Sequence, residues 1–167
     1  MKYESKLLIR ILLALAIPYY LFQIILTPIT ISLLKIINFN IQVNNNIFII
    51  NNIHLIFIPA CAAISAYYLI FILTIFTKDL SLKKSLMILA TGFSLILAMN
   101  LFRIEILFFI LNNYGIDLFN KVHLLFWDIV STVYVALVWI FIINRFKIKN
   151  IPFYSDIKEL TKKFKNR

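Results

Sequence analysis

Four long apolar blocks dominate this chain and leave it few folds to choose from. They run from about Leu7 to Leu34, Pro59 to Phe76, Leu86 to Leu111 and Lys121 to Asn144. About 20 apolar residues in a helix cross the ~30 Å hydrocarbon core of a bilayer, so each block reads as a spanning helix. The first exceeds that length and contains Pro18 and Pro28, which predicts a tilted, kinked or broken span. Pro59 suits a first helical turn, where no N–H is needed. Hydrophobic residues make up 62% of the chain and charged ones 14%, a balance that 167 residues cannot hide from water in a soluble domain. A transmembrane β-barrel would need alternating segments of about ten residues, and most of the chain has none. The fold expected is therefore an all-α membrane protein of about four transmembrane helices. Residues 1–145 form its polytopic domain and residues 146–167 a basic tail.

The positions of lysine and arginine orient the spans. Lys2, Lys6 and Arg10 flank the first, Lys78, Lys83 and Lys84 lie in the second connection, and eight more follow from Arg145 to Arg167. The stretches from Ile36 to Ile58 and from Asn112 to Asn120 contain neither residue type. Four spans place all three basic clusters on one side, which the positive-inside rule makes cytoplasmic, together with both termini. The formal charge of +10 then follows from topology and from attraction to anionic lipid, so no nucleic acid partner is implied. In the tail, Ile157, Leu160 and Phe164 recur at helical spacing behind Ser155. That pattern fits a short helix lying on the inner membrane surface, with plain disorder as the other reading.

The segment from Asn38 to Ile58 differs in kind. Ile, Val and Phe interleave with asparagines, and Asn44-Asn45-Asn46 separates two apolar stretches. A short β-hairpin at the outer face and an asparagine-rich loop both fit this pattern. The chain has one cysteine and no zinc-type Cys/His spacing, so neither an internal disulfide framework, a metal nor a cofactor is expected.

Polar residues inside apolar spans cost at least about 2.5–3.5 kcal/mol when charged, so each asks for a reason. The informative ones are Cys61 in the second span, Asn100, Arg103 and Glu105 in the third, and His123 and Asp128 in the fourth. Cys61 and His123 fall near the outer ends of descending helices. Arg103 is the eighteenth residue of an ascending one counted from Leu86, which lifts it ~26 Å, close to the outer edge of the core. A thiol, a guanidinium and an imidazole at one depth suit acyl transfer. The thiolate attacks, the imidazole moves the proton and the guanidinium stabilises an oxyanion. Each also has an ordinary reading: a small apolar residue, a snorkelling arginine, an interfacial polar cap. His54, in the outer segment, is a second candidate imidazole. Asn100, three residues before Arg103, is placed to orient it, while Glu105 and Asp128 read as ion-pair partners for Arg103, Lys35 or Lys121. A direct Glu105–Arg103 pair is disfavoured, because residues two apart on a helix face nearly opposite ways.

Pro59-Ala60-Cys61-Ala62-Ala63-Ile64-Ser65, then Asn100-Leu101-Phe102-Arg103-Ile104, then His123 after a short loop together resemble the exosortase/archaeosortase family of membrane cysteine transpeptidases. The resemblance covers residues 38–145, and the Asn-x-x-Arg element is its most specific piece. It implies cleavage of surface proteins on the outer face at a carboxy-terminal sorting signal made of a short motif, a transmembrane helix and a basic cluster. It also implies transfer of the new carboxyl end to a membrane lipid. Cys61 would be the nucleophile, His123 the general acid/base and Arg103 the transition-state stabiliser. Many relatives carry Ser or Thr, then Gly or Ala, after the cysteine, where this chain has Ala62-Ala63. Its compactness is closer to the small archaeal members, so an archaeal cell membrane is the expected home. Two other functions compete: a catalytically silent scaffold of the same fold, and a small transporter or channel subunit using Arg103 and Glu105 as a polar pathway.

Overall fold

The computed structural model describes residues 3–16, 19–37, 42–44, 46–50 and 53–150, together with positions 152, 154 and 161. Helices α1 (Tyr3–Ala16) and α2 (Tyr19–Ile37) occupy the first apolar block. Pro18, between them, lies outside the described residues, while Pro28 sits within α2. A small sheet follows, then a 3₁₀ turn (Pro59–Ala62) that leads into α3 (Ile64–Ile75). Helices α4 (Leu82–Tyr114), α5 (Ile116–Leu125) and α6 (Ser131–Phe146) complete the chain, with a π-helical turn (Phe126–Val130) joining the last two. Ser155, Ile157, Leu160 and Phe164, the basis for a surface helix, lie outside the described residues.

Among the described residues, three helices are long and apolar enough to cross a membrane: Tyr19–Ile37, Leu82–Tyr114 and the continuous run Ile116–Phe146. The apolar block beginning at Pro59 is shorter as a helix, because its first turn is spent as 3₁₀ and α3 keeps 12 residues. At about 1.5 Å per residue, α3 alone is ~18 Å long. The polar stretch from Asn112 to Asn120, expected as a loop, is instead helical except at Gly115. Its φ of 82° lies where glycine is unstrained, which lets the chain turn between two helices through a single residue. Asn112, Asn113, Asp117 and Asn120 are exposed, so polarity at this end marks a helical turn beyond the apolar region rather than a break in the helix.

The outer segment forms a three-stranded antiparallel sheet, one strand more than a hairpin. Its order is β1 (Gln42–Asn44), β2 (Ile47–Ile50) and β3 (Ile53–Ile56). The register pairs Asn44 with Ile47 and Ile50 with Ile53. In the sequence, asparagines separate Asn44 from Ile47 and Ile50 from Ile53, a residue type that favours chain reversal.

Besides a small cluster of Leu107 and Leu111 of α4 with Phe119 of α5, two apolar cores hold these parts together. Ile31 and Leu34 of α2, Phe48 and Phe57 of the sheet region, and Ile104 and Phe108 of α4 make one. There the Phe48 ring lies 5.6 Å from Phe108 and 5.4 Å from Phe57. This core clamps the sheet onto the half of α4 that carries Arg103. In the other, Tyr67 and Ile70 of α3 meet Ile88 and Ile96 of α4 and Val138 and Ile142 of α6. Gly92 of α4 is buried at this crossing, where a β-carbon would stand 2.8 Å from Ile70 Cγ2 and 3.1 Å from Ile142 Cδ1. Small residues permit such close helix approach in lipid. Gly92→Val is therefore expected to cost about 1–3 kcal/mol by overpacking, read as a lower unfolding temperature in detergent. An unchanged temperature would show that α3 and α6 yield at this point.

Candidate functional site

Cys61 is carried by the 3₁₀ turn rather than by a helix proper. Its N–H donates to the Ile58 carbonyl at 2.8 Å, and Ala63 N–H donates to Ala60 at 3.2 Å. Ala63 then adopts φ 55° and ψ 33°, a left-handed conformation that costs a residue with a β-carbon about 1–2 kcal/mol. A small residue two places after the cysteine has a physical reason here, since bulk or β-branching would raise that cost. The turn leaves the thiol half-buried and free.

Asn100 and Arg103 converge on this turn from α4. Both are almost fully buried, at 3% and 4% exposure. Asn100 Nδ2 donates to the Cys61 carbonyl at 3.0 Å, and Arg103 Nη2 donates to the same oxygen at 3.1 Å. Asn100 thus anchors the cysteine's own peptide rather than orienting the arginine, contrary to the expectation from spacing. Three residues apart on a helix, the two side chains share a face and reach one acceptor together. The guanidinium continues to Ser131, whose Oγ accepts from Nη1 at 3.3 Å. Arg103 Nε and Asn100 Oδ1 are buried without a hydrogen-bond partner.

Ser131 is the residue that sequence reasoning missed. Its hydroxyl donates to the Phe126 carbonyl at 2.7 Å, and its backbone N–H reaches the same carbonyl across the π turn. In a regular α-helix, residues eight apart such as His123 and Ser131 differ in direction by about 80°. One extra residue absorbed by the π turn removes most of that angle, so both come to face α4. Nothing in the local sequence beyond the Ser131-Thr132 polar pair marks this shift.

Cys61, Arg103 and His123 line one cavity of about 130 Å³. The helix bearing His123 begins at Ile116, which places the imidazole two turns in rather than in the first turn. The remaining walls are apolar: Phe48, Leu55, Ile56 and Phe57 from the sheet side, Ile104, Leu107 and Phe108 from α4, and Phe119 from α5. Such a volume admits a peptide group or one side chain. Apolar walls strengthen every charge–dipole interaction inside. His54 lies on β3, is exposed and is not among the lining residues. Glu105, half-buried on α4, and Asp128, exposed on the π turn, also lie off the cavity wall. Among the described residues, no group of three or more His, Cys, Asp or Glu could hold a metal ion.

The site therefore brings a thiol, an imidazole and a guanidinium to one apolar chamber, with the cysteine-bearing turn held by two buried side chains. Comparison with known proteins agrees in kind. No curated protein and no solved structure matches the chain. The family model of the transmembrane exosortases, however, matches residues 5–143, from α1 nearly to the end of α6. With this match spanning most of its length, the chain belongs to the transmembrane exosortase family.

Proposed function

We propose that this chain is a membrane-embedded cysteine transpeptidase that cleaves carboxy-terminal sorting signals of surface proteins. Its cavity faces the outer side of the cell membrane, and both termini are cytoplasmic. The observation that carries this reading is the shared cavity of Cys61, Arg103 and His123. His123 takes the thiol proton as Cys61 Sγ bonds to the scissile carbonyl carbon, and the carbonyl π pair moves onto oxygen. Arg103 stabilises that oxyanion. Its guanidinium lines the cavity, and its charge acts on the developing oxyanion across apolar walls while Nη1 and Nη2 hold Ser131 and the turn. Collapse of the intermediate breaks the C–N bond, and His123 protonates the departing amine, leaving a thioester on Cys61. An acceptor, a lipid amine or water, then gives its proton to His123 and attacks the thioester carbonyl. Cys61 leaves and regains its proton.

The substrate's own apolar helix packs against the bundle and brings the motif to the cavity. Deleting the gene tests this reading in a strain with no second copy of the family. Surface proteins are expected to keep their carboxy-terminal helices and to lose them again on re-expression. Normal processing in the deletion strain would overturn the reading.

A further inference from the structure

Beyond the chemistry at Cys61, the sheet has an unpaired edge that runs into the same cavity. Strand β3 is an edge strand, since the order is β1-β2-β3. Phe57 N–H donates to Asn46 at 2.7 Å, which marks Phe57 and Asn46 as a hydrogen-bonded pair of the β2–β3 ladder. Antiparallel ladders alternate, so Leu55 and Ile53 face β2 with their main-chain groups, while His54 and Ile56 face away from it. Among the described residues, none pairs with the N–H or C=O of His54 or Ile56. Ile56 is 70% exposed, yet it also lines the cavity, which puts this edge at the cavity mouth. Phe119 and His123 of α5 line the same cavity. Unprotected edges of this kind usually carry a lysine, a proline or a bulge that blocks pairing, whereas β3 reads Ile-His-Leu-Ile.

We propose that the substrate segment flanking the scissile bond binds in extended form as a fourth strand on the free edge of β3. This rests on the transpeptidase reading above and adds how the substrate is held. Main-chain bonds to His54 and Ile56 would supply register, and the apolar cavity would take one side chain of the motif. An extended chain on this edge runs past the mouth of the cavity that Cys61 lines. Recognition through the backbone leaves the motif free to vary at every second position, where side chains point away from the cavity.

The test uses a tagged surface protein whose carboxy-terminal helix is retained in the deletion strain, co-expressed with variants of the full chain. Ile56→Pro removes an edge N–H that the β2–β3 ladder does not use, so the sheet tolerates it. Ile56→Ala keeps that N–H and removes the side chain. Processing is expected to fall about tenfold or more in Ile56→Pro, as loss of a desolvated hydrogen bond implies, and clearly less in Ile56→Ala, which loses only one side chain of the cavity wall. A proline scan through the substrate's cleavage segment keeps the proposal testable should the variant misfold, and it should give losses at alternate positions. Equal processing by both variants, or a scan without period two, would overturn it. So would a dimer that Ile56→Pro dissolves while processing continues, because the edge would then serve a second copy. Cys61→Ala separates the two readings in the same assay. If it blocks processing while Ile56→Pro does not, the strand proposal fails and the transpeptidase reading stands. If Cys61→Ala processes normally, the transpeptidase reading itself fails.

Discussion

Cys61→Ala, at matched expression and membrane insertion, is expected to abolish processing of a co-expressed substrate bearing a carboxy-terminal sorting signal. Loss of a nucleophile costs on the order of 10⁴-fold or more, because no neighbouring group substitutes for the attacking atom. The structure makes this substitution an unusually clean probe. Asn100 and Arg103 bond to the main-chain carbonyl of Cys61, which alanine retains, so the turn keeps its anchors. The residue is half-buried, and removal of one sulfur leaves a gap far smaller than a lost aliphatic side chain. A defect in the variant therefore reports chemistry rather than folding. Mass spectrometry should detect an acyl adduct on Cys61 in the unaltered protein and none in the variant. Unchanged processing would remove Cys61 from the chemistry and with it most of the case for an enzyme.

Arg103→Lys should be the second most damaging change, although it keeps the charge. The guanidinium uses two nitrogens in two directions, one to the Cys61 carbonyl and one to Ser131 Oγ. A single ammonium has no planar fork with which to span both partners. One buried polar group then loses its bond, at a cost of about 1–3 kcal/mol. Withdrawing the cation from the oxyanion position proposed above should lower turnover by about 10²–10³-fold. Processing kinetics should show this loss in the maximal rate more than in the substrate dependence. Ser131→Ala removes only one of the two anchors and should lower the rate about tenfold. Full activity in Arg103→Lys would mean that charge alone suffices, and the bidentate arrangement would then have no part in catalysis.

The transporter reading loses ground for a geometric reason. Arg103 is spent on a carbonyl and a hydroxyl next to Cys61, and Glu105 lies off the cavity wall that Arg103 lines. Placement also separates the two histidines: His54 is on an exposed strand position, whereas His123 lines the cavity that holds the thiol.

Legibility tracked the range over which each feature is encoded. Apolar blocks, helix type and membrane residence depend on local composition, so they are readable residue by residue. Strand-forming residues around asparagines left a hairpin and a loop both open, and the register, with Asn44 opposite Ile47 and Ile50 opposite Ile53, shows strands. The convergence of Cys61, Arg103 and His123 was inferable because helix rise converts sequence position into depth. Depth says nothing about direction around a helix axis, and there the sequence fell silent. The partner of Asn100, the left-handed Ala63 and the phase shift at Phe126–Val130 all depend on how one helix meets another.

From the amino-acid sequence alone came a helical membrane protein, a β-prone segment between the first two apolar blocks, and three reactive side chains at similar heights. Those properties follow from hydrophobicity and periodicity, which act over a few residues. Only the tertiary structure decided that α4 and α5 meet at one glycine, that the cysteine sits in a 3₁₀ turn gripped from α4, and that a π turn brings Ser131 under the arginine. Such features arise where separately encoded elements pack. Their energies come from groups that are distant along the chain, so no local pattern carries them.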